Sequence, residues 1–297
     1  MDNTFNNTSA LLALIEDLFI IEPEDKEQVL IEMGLSEEEF SQIQNGDLIP
    51  DKIQNEGIYN FAYNHKLFVN EIIWQSREDA FKDENVHVCS HGSRRNIVGD
   101  IRVDLPVESS DFGSGFYIGQ DIEQAGRWVS DNPDSSLYIF TFEEDGLKKA
   151  LFNVSIDWML AICYHRHLID DYIEHPKVQK IIDLCENSDF ILAPIADNKL
   201  YDVIESFTNE EITDLQCLYA ISATHLGYQF VLKTEKALEN LNLQDHLYFC
   251  SEEKKLYENS QDLVENTALY KAFLAKKNYK NQGRYISELL GDATNGS

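Results

Sequence analysis

Two short segments of the chain carry side chains that could bind a ligand and take part in its chemistry. The first, Cys89–Arg94, reads C-S-H-G-S-R and places the imidazole of His91 beside Gly92. The second, Asp111–Tyr117, reads D-F-G-S-G-F-Y and ends in a phenol. Glycine lets the backbone approach a ligand closely, while histidine and tyrosine offer hydrogen bonds and a stacking surface. Together these groups suit a flat ring that carries an amide and a ribose.

The predicted secondary structure brings these groups toward one cleft. The apolar run Val86–Cys89 predicts a strand that ends in a turn at His91, and the aromatic pair after the glycines predicts a second strand. Asp121 is the predicted N-cap of a helix that continues to Val129. A glycine-punctuated meander with a surface histidine gives the same pattern, so these residues alone leave a purely structural interpretation open.

The combined pattern is more specific than either segment. H-G-S-R-x-N followed by F-G-x-G-x-Y resembles the NAD-binding core of ADP-ribosyltransferases of the diphtheria-toxin and poly(ADP-ribose) polymerase class. More closely, the chain resembles the DUF3990 group of bacterial proteins, whose members often read H-G-S, then D-F-G-x-G-F-Y, then Q-[YF]-V. The third element here is G-Y-Q-F-V-L, at Gly227–Leu232. The resemblance covers residues 86–242, about half of the chain.

The resemblance implies a catalytic set of His91, Tyr117 and Gln229. It assigns the histidine to the adenine-side ribose of NAD and the tyrosine to stacking on nicotinamide. The remaining implied NAD contacts are Gly92, Ser93, Arg94, Phe112, Gly115 and Trp128.

Gln229 occupies the place where the polymerases of that class carry a glutamate. A carboxylate stabilises the oxocarbenium-like charge that develops when the nicotinamide–ribose bond breaks, whereas an amide accepts from the ribose 2′-OH without supplying charge or a base. The change costs roughly two to three decades of rate. It disfavours chain elongation and leaves single transfer or slow hydrolysis. Glu235 and Asp197 are nearby candidates to supply the missing carboxylate.

The predicted function is therefore that of an NAD-binding mono-ADP-ribosyltransferase. NAD is the substrate, and the acceptor of ADP-ribose is a macromolecule, with protein favoured over nucleic acid. The resemblance alone suggests a toxin, phage-defence or regulatory setting. The alternatives are a sensor that binds NAD or ADP-ribose without turnover, and an acidic protein-interaction module.

The charge of the chain restricts its partners. Acidic residues outnumber basic ones, 53 against 24, which gives the 297-residue chain a formal net charge of −29. Such a charge opposes unaided binding to nucleic acid or to an anionic membrane. We therefore expect a cytoplasmic protein without a membrane span or targeting segment, whose macromolecular partner is a basic protein or a second copy of the chain.

The cysteines and histidines predict neither disulfides nor a metal site. The five cysteines are scattered and show no C-x-x-C spacing, which indicates reduced thiols in the cytoplasm. Cys163, His165 and His167 lie at positions i, i+2 and i+4, and a helix does not bring such positions onto one face.

The chain is predicted to be α+β, with three regions. Residues 1–80 form a helical domain that resembles a degenerate helix-turn-helix, with Ser36 and Glu39 as a capping box. This domain has four Lys or Arg and 17 Asp or Glu, so its formal net charge is 4 − 17 = −13 and DNA binding is not expected. After a connector at 75–85, residues 86–245 form the NAD-binding domain, for which the resemblance implies a split β-sheet. Residues 246–297 form a helical extension, in which 267–287 hold five basic residues and no acid.

Overall fold

The computed structural model describes residues 7–104, 110–196, 201–222 and 227–291. It confirms the predicted α+β class. The helices are α1 (Thr8–Phe19), α2 (Pro23–Met33), α3 (Glu37–Gln44), α4 (Lys52–Asn64), α5 (Val69–Phe81), α6 (Ile122–Val129), α7 (Ile156–His165), α8 (Pro176–Glu186), α9 (Tyr201–Thr208), α10 (Asp214–Ile221), α11 (Glu235–Glu239), α12 (Ser251–Asn278) and α13 (Ile286–Leu290), with a short 3₁₀ helix at Asp170–Tyr172. The strands are β1 (His87–Ser93), β2 (Phe116–Gly119), β3 (Ser136–Phe142), β4 (Lys149–Leu151), β5 (Phe190–Pro194), β6 (Tyr228–Leu232) and β7 (Leu241–Leu247).

The chain divides into two compact units, and neither is continuous in sequence. The first unit comprises Met1–Asp100, Asp121–Glu143 and Leu241–Asn259. The second comprises Ile101–Gln120, Glu144–Asn240 and Ser260–Ser297.

Helices α1–α5 of the first unit form within the region that the sequence predicts to be helical, and α2, α3 and α4 each begin with a capping box. Ser36 accepts a hydrogen bond from the backbone of Glu39, whose carboxylate accepts one in return from the backbone of Ser36, so the predicted capping box is confirmed. Gly34 ends α2 in the left-handed conformation. The helices enclose a core that includes Leu12, Phe40 and Tyr59. The predicted connector at 75–85 is wrong over most of its length, since α5 continues to Phe81.

Strands β1, β3 and β7 pair antiparallel in the first unit, with β3 in the middle. Helix α6 packs against β1 so closely that a Cβ atom added at Gly92 would lie 2.3 Å from the carbonyl oxygen of Ala125. Two local predictions are wrong here. His91 lies within β1 and not in a turn after it, and β7 continues to Leu247, past residue 246, where the helical extension is predicted to begin.

The second unit holds strands in the order β4–β5–β6–β2. β4 and β5 are parallel, and the other two pairings are antiparallel. A buried core covers one face of these strands and contains Phe112, Trp158 and Val231 among many others. Ser155 caps α7, and Trp158 donates from its indole to the carbonyl of Pro194 at 3.0 Å, which ties α7 to the end of β5.

Over the described residues, every helix is too short or too polar to cross a lipid bilayer.

Candidate functional site

The glycine-rich turn before β2 is shaped by close contacts within the second unit. Gly113 has a φ of 69°, in the left-handed region that favours glycine, and a Cβ there would lie 3.2 Å from His165 Nδ1. A Cβ on Gly115 would lie 2.7 Å from a methyl carbon of Val231 and 2.9 Å from the carbonyl oxygen of Leu232. Both glycines are therefore required by packing, whether or not a ligand binds.

Tyr117 holds this turn from one side. Its hydroxyl donates to the carbonyl oxygen of Gly113 at 2.7 Å and accepts from the backbone N–H of Phe112 at 3.2 Å. Burial raises the pKa of the phenol, so the group stays a neutral hydroxyl. The phenol hydroxyl thus fixes the turn, and the side chain packs against the buried core of the second unit.

Lys233 holds the turn from another side. Its ammonium donates to the carbonyl oxygens of Phe112, at 2.8 Å, and Ser114. Burial lowers the pKa of this lysine. Because Lys233 immediately follows β6, it couples the turn to that strand.

Asp111, the first residue of the turn, is the centre of a buried polar cluster. Its Oδ1 accepts from Arg166 Nη2 at 2.6 Å, and its Oδ2 accepts from Gln229 Nε2 at 3.0 Å and from the backbone N–H of Ala196 at 3.2 Å. The side chains of Arg166 and Asp111 are only 4% and 7% exposed. The guanidinium also lies 5.4 Å from the ring centre of Tyr201. Such a buried carboxylate is tolerated because a cation and two further donors satisfy it.

We call Asp111, Arg166 and Gln229 the Asp111 cluster. In the pairing of β2 with β6, Tyr117 lies opposite Val231 and Gly119 lies opposite Gln229. Residues two apart on a strand share a face, so Tyr117 and Gln229 lie on the same face of neighbouring strands. The structure therefore brings these two predicted site residues together.

The amide of Gln229 has a fixed direction. Because Nε2 donates to a carboxylate, Oε1 is the end that remains as an acceptor. Oε1 accepts no hydrogen bond from the residues that the structure describes. Gln229 is nevertheless 8% exposed, so its amide reaches solvent only narrowly.

His91 lies in the first unit, on β1, directly opposite Tyr138. The two ring centres are 6.4 Å apart, and Tyr138 stacks in turn on His246, at 4.5 Å and an interplanar angle of 1°. Burial lowers the pKa of His246 to about 4, so its ring is neutral at physiological pH. His91 is thus the half-buried end of a three-ring row.

The other residues predicted to contact NAD are in three different environments. Ser93 and Arg94 are engaged with protein, the first donating to the carbonyl oxygen of Arg95 at 2.6 Å and the second pairing with Asp131 at 3.0 Å on the surface. Trp128 on α6 is 49% exposed, which leaves its ring accessible. Phe112 is fully buried, with its ring 5.6 Å from that of Phe152, and so is a core residue.

The two residues expected to replace the missing glutamate lie elsewhere or are not described. Glu235 is exposed in the first turn of α11, and Asp197 lies outside the described residues. Gln229 instead contacts the carboxylate of Asp111. Asp111 is the first residue of the D-F-G-S-G-F-Y segment that the sequence analysis singled out. No sequence pattern pointed to Arg166 or Lys233.

The residues of the C-x-H-x-H segment differ in burial: Cys163 is buried, His165 is half-buried and His167 is exposed. Cys163 is fully buried, and burial raises the pKa of its thiol to about 12. Burial lowers the pKa of His165 to about 4. Within the described ranges, no three His, Cys, Asp or Glu side chains are grouped so that they could hold a metal ion.

Comparison with known proteins gives one family. The model of the family described as "Protein of unknown function (DUF3990)" matches residues 88–243, which is just over half of the chain. Neither the curated proteins nor the solved structures give a match.

Proposed function

The chain belongs to the DUF3990 family, and from this premise and the Asp111 cluster we propose that it is an NAD-binding, mono-ADP-ribosyltransferase-like protein. NAD is the substrate, and ADP-ribose passes to a macromolecular acceptor, with protein favoured. The proposal includes an ADP-ribosyltransferase-like arrangement of the strands. It assigns His91 to the adenine-side ribose and the ring of Tyr117 to nicotinamide.

The hydrogen bond from Gln229 to Asp111 is the observation that carries the proposal. It turns Oε1 of the amide into an acceptor of fixed direction, which suits the ribose 2′-OH. It also places a carboxylate one hydrogen bond behind that amide. When the C1′–N1 bond breaks, its electron pair leaves with nicotinamide and positive charge develops on the ribose, and a nearby fixed negative charge stabilises that charge. An acceptor nucleophile then bonds to C1′ and releases its proton.

The same cluster limits the rate. Arg166 neutralises most of the field of Asp111, because the two charged groups are 2.6 Å apart and buried together. The net stabilisation of the ribose cation is therefore smaller than a glutamate at position 229 would give. This favours slow, single transfer, and it makes NAD binding without turnover the second candidate function.

The test measures NAD binding by calorimetry and nicotinamide release by chromatography, with and without host lysate. We expect binding, slow release, and labelled protein acceptors. Gln229→Met keeps the side-chain length but removes the acceptor, and we expect at least a tenfold loss of release. Gln42→Met, on the exposed face of α3, is the matched control and leaves release unchanged.

Thermal unfolding of both variants establishes that they are folded. NAD binding without nicotinamide release supports the second candidate, the sensor. A folded chain that does not bind NAD refutes both candidates.

A further inference from the structure

A cavity of about 380 Å³ lies within the first unit, apart from the Asp111 cluster. Its walls come from the start of α4, the residues after β1, the start of β3 and the residues after β7. Lys52 and Tyr248 contribute to it and lie outside the family match, which covers 88–243. The volume is in the range of sites that hold small organic molecules, about 300–1,000 Å³.

The cavity is electropositive in a strongly acidic chain. Lys52 and Arg95 line it, and Lys254 donates to the carbonyl oxygen of Pro133 in its wall at 3.0 Å. Asp134 is the one acidic residue of the lining. Its pKa is lowered chiefly by the hydrogen bond from Lys52, with smaller contributions from the charges of Lys254 and Arg95. Lys52, Arg95 and Lys254 thus lie in or behind the wall, together with two carboxylates, that of Asp134 and that of Glu56, which accepts from the hydroxyl of Tyr248 at 2.7 Å.

Arg95 has donors to spare. Among the residues that the structure describes, its guanidinium forms no ion pair or hydrogen bond, although it is in the cavity wall. A guanidinium carries five N–H donors in a flat fork that matches an oxyanion. In the part of the chain that the structure describes, the ammonium of Lys52 pairs with Asp134 alone, at 2.6 Å, and both side chains of this pair are 67% exposed. An exposed pair of this kind is weak and can be exchanged for a ligand.

A neutral donor lies beside Arg95. Ser136 donates from its hydroxyl to Oδ1 of Asn96 at 2.6 Å, which fixes the amide and leaves its NH₂ group as a donor. Apolar atoms of Ile49, Pro133 and Phe249 supply much of the remaining wall. The lining therefore combines a compact set of donors with an apolar surface.

We propose that this cavity binds a small organic phosphate whose body is flat and largely apolar. Arg95 and Asn96 hold the phosphate oxygens, Lys52 leaves Asp134 to join them, and the apolar wall takes the body. Together, Arg95, Asn96 and Lys52 offer more N–H donors than one carboxylate can accept. A phosphate monoester has three terminal oxygens and can accept more of these hydrogen bonds.

The probe is 1-naphthyl phosphate, titrated into the full chain at low salt and followed by calorimetry. Two matched compounds separate the contributions: 1-naphthol lacks the charge, and 1-naphthoate carries a carboxylate in place of the phosphate. We expect the phosphate to bind at least tenfold more tightly than the naphthol and severalfold more tightly than the naphthoate. None of these probes contains nicotinamide or ribose, so the outcome is independent of the NAD proposal.

Two substitutions in the cavity wall should change the affinity for 1-naphthyl phosphate in opposite directions. Arg95→Gln should weaken binding of the phosphate at least tenfold, and it removes no hydrogen bond or ion pair among the described residues. Asp134→Asn should tighten it severalfold, because Lys52 no longer has a competing carboxylate. Arg102→Gln is the control, since it removes an exposed arginine of the second unit that pairs with Asp104, and we expect no change.

Naphthol binding as tightly as the phosphate overturns the proposal, as does an Arg95→Gln variant with unchanged affinity. Naphthoate binding more tightly than the phosphate overturns the assignment to a phosphate.

Discussion

Replacing Gln229 by glutamate tests the Asp111 cluster most directly. On the proposed function the substitution supplies the glutamate of the polymerases, but it puts a second carboxylate oxygen where Gln229 Nε2 lies, 3.0 Å from Asp111 Oδ2 in a buried site. Two unit charges about 4 Å apart repel by about 4 kcal/mol at an effective dielectric constant of 20. Protonation of one carboxyl group relieves this repulsion. A shift of three pKa units corresponds to about 4 kcal/mol, so we expect Gln229→Glu to lower the free energy of unfolding by about 3–4 kcal/mol at pH 8.

The sign of the pH dependence follows from that protonation. The pKa of a glutamate at 229 is raised above its unfolded value of about 4.3. Between these two values the folded state binds more protons than the unfolded state, so stability falls as pH rises. Urea unfolding at pH 5 and pH 8 should therefore show the variant recovering most of its loss at the lower pH, relative to the unsubstituted chain.

The double variant Asp111→Asn/Gln229→Glu exchanges the two groups and should recover most of the stability at pH 8. Recovery is incomplete by about 1–2 kcal/mol, because the new amide NH₂ faces the N–H of Ala196, which then lacks an acceptor.

Gln54→Glu is the matched control. Gln54 also donates to a carboxylate, that of Glu39 at 2.9 Å, but near the surface, where solvent screens the repulsion between like charges. If Gln229→Glu costs no more than Gln54→Glu at pH 8, the Asp111–Gln229 contact does not exist in solution.

Three further perturbations probe the supporting structure. In a urea titration, Gly92→Ala should lower the free energy of unfolding by about 2–3 kcal/mol, because the added Cβ would lie 2.3 Å from a backbone oxygen. The control is Gly146→Ala, at a left-handed turn with open space around it, which should lower it by only about 1 kcal/mol. Tyr117→Phe removes the hydroxyl that holds the glycine-rich turn and should lower stability by about 1–2 kcal/mol; equal melting temperatures for the two proteins would contradict that role. His246 should stay neutral until the pH approaches 4, whereas the unfolded ring protonates near 6.5, so its burial removes stability as pH falls through that window; an NMR titration of its ring with a midpoint above 6 would show this to be wrong.

The sequence predicted those elements whose signals are local. The capping box at Ser36 and the N-cap at Asp121 each depend on neighbouring residues, and each appears in the structure. Strand β7 was missed because its segment, L-N-L-Q-D-H-L, is polar at several positions. Its strand conformation depends on pairing with β3, which is distant in sequence.

The candidate site divides in the same way. The D-F-G-S-G-F-Y segment begins with Asp111, the centre of the cluster, and the pairing of β2 with β6 brings Tyr117 near Gln229. The ion pair that fixes Asp111 could not be predicted, because a single arginine at the end of α7 has no periodicity or spacing that marks it. Only the packing of α7 against the glycine-rich turn makes Arg166 a partner.

The Asp111 cluster also has a consequence for biosynthesis. Asp111 accepts a hydrogen bond from Gln229, 118 positions later in the chain, and the carbonyl of Phe112 accepts one from Lys233, 121 positions later. A nascent chain that has not yet emerged from the ribosome as far as β6 therefore has neither the amide nor the ammonium that hold the turn. Ribosome-bound intermediates shorter than this should leave the turn accessible to protease, and protection should appear in one step once β6 is released.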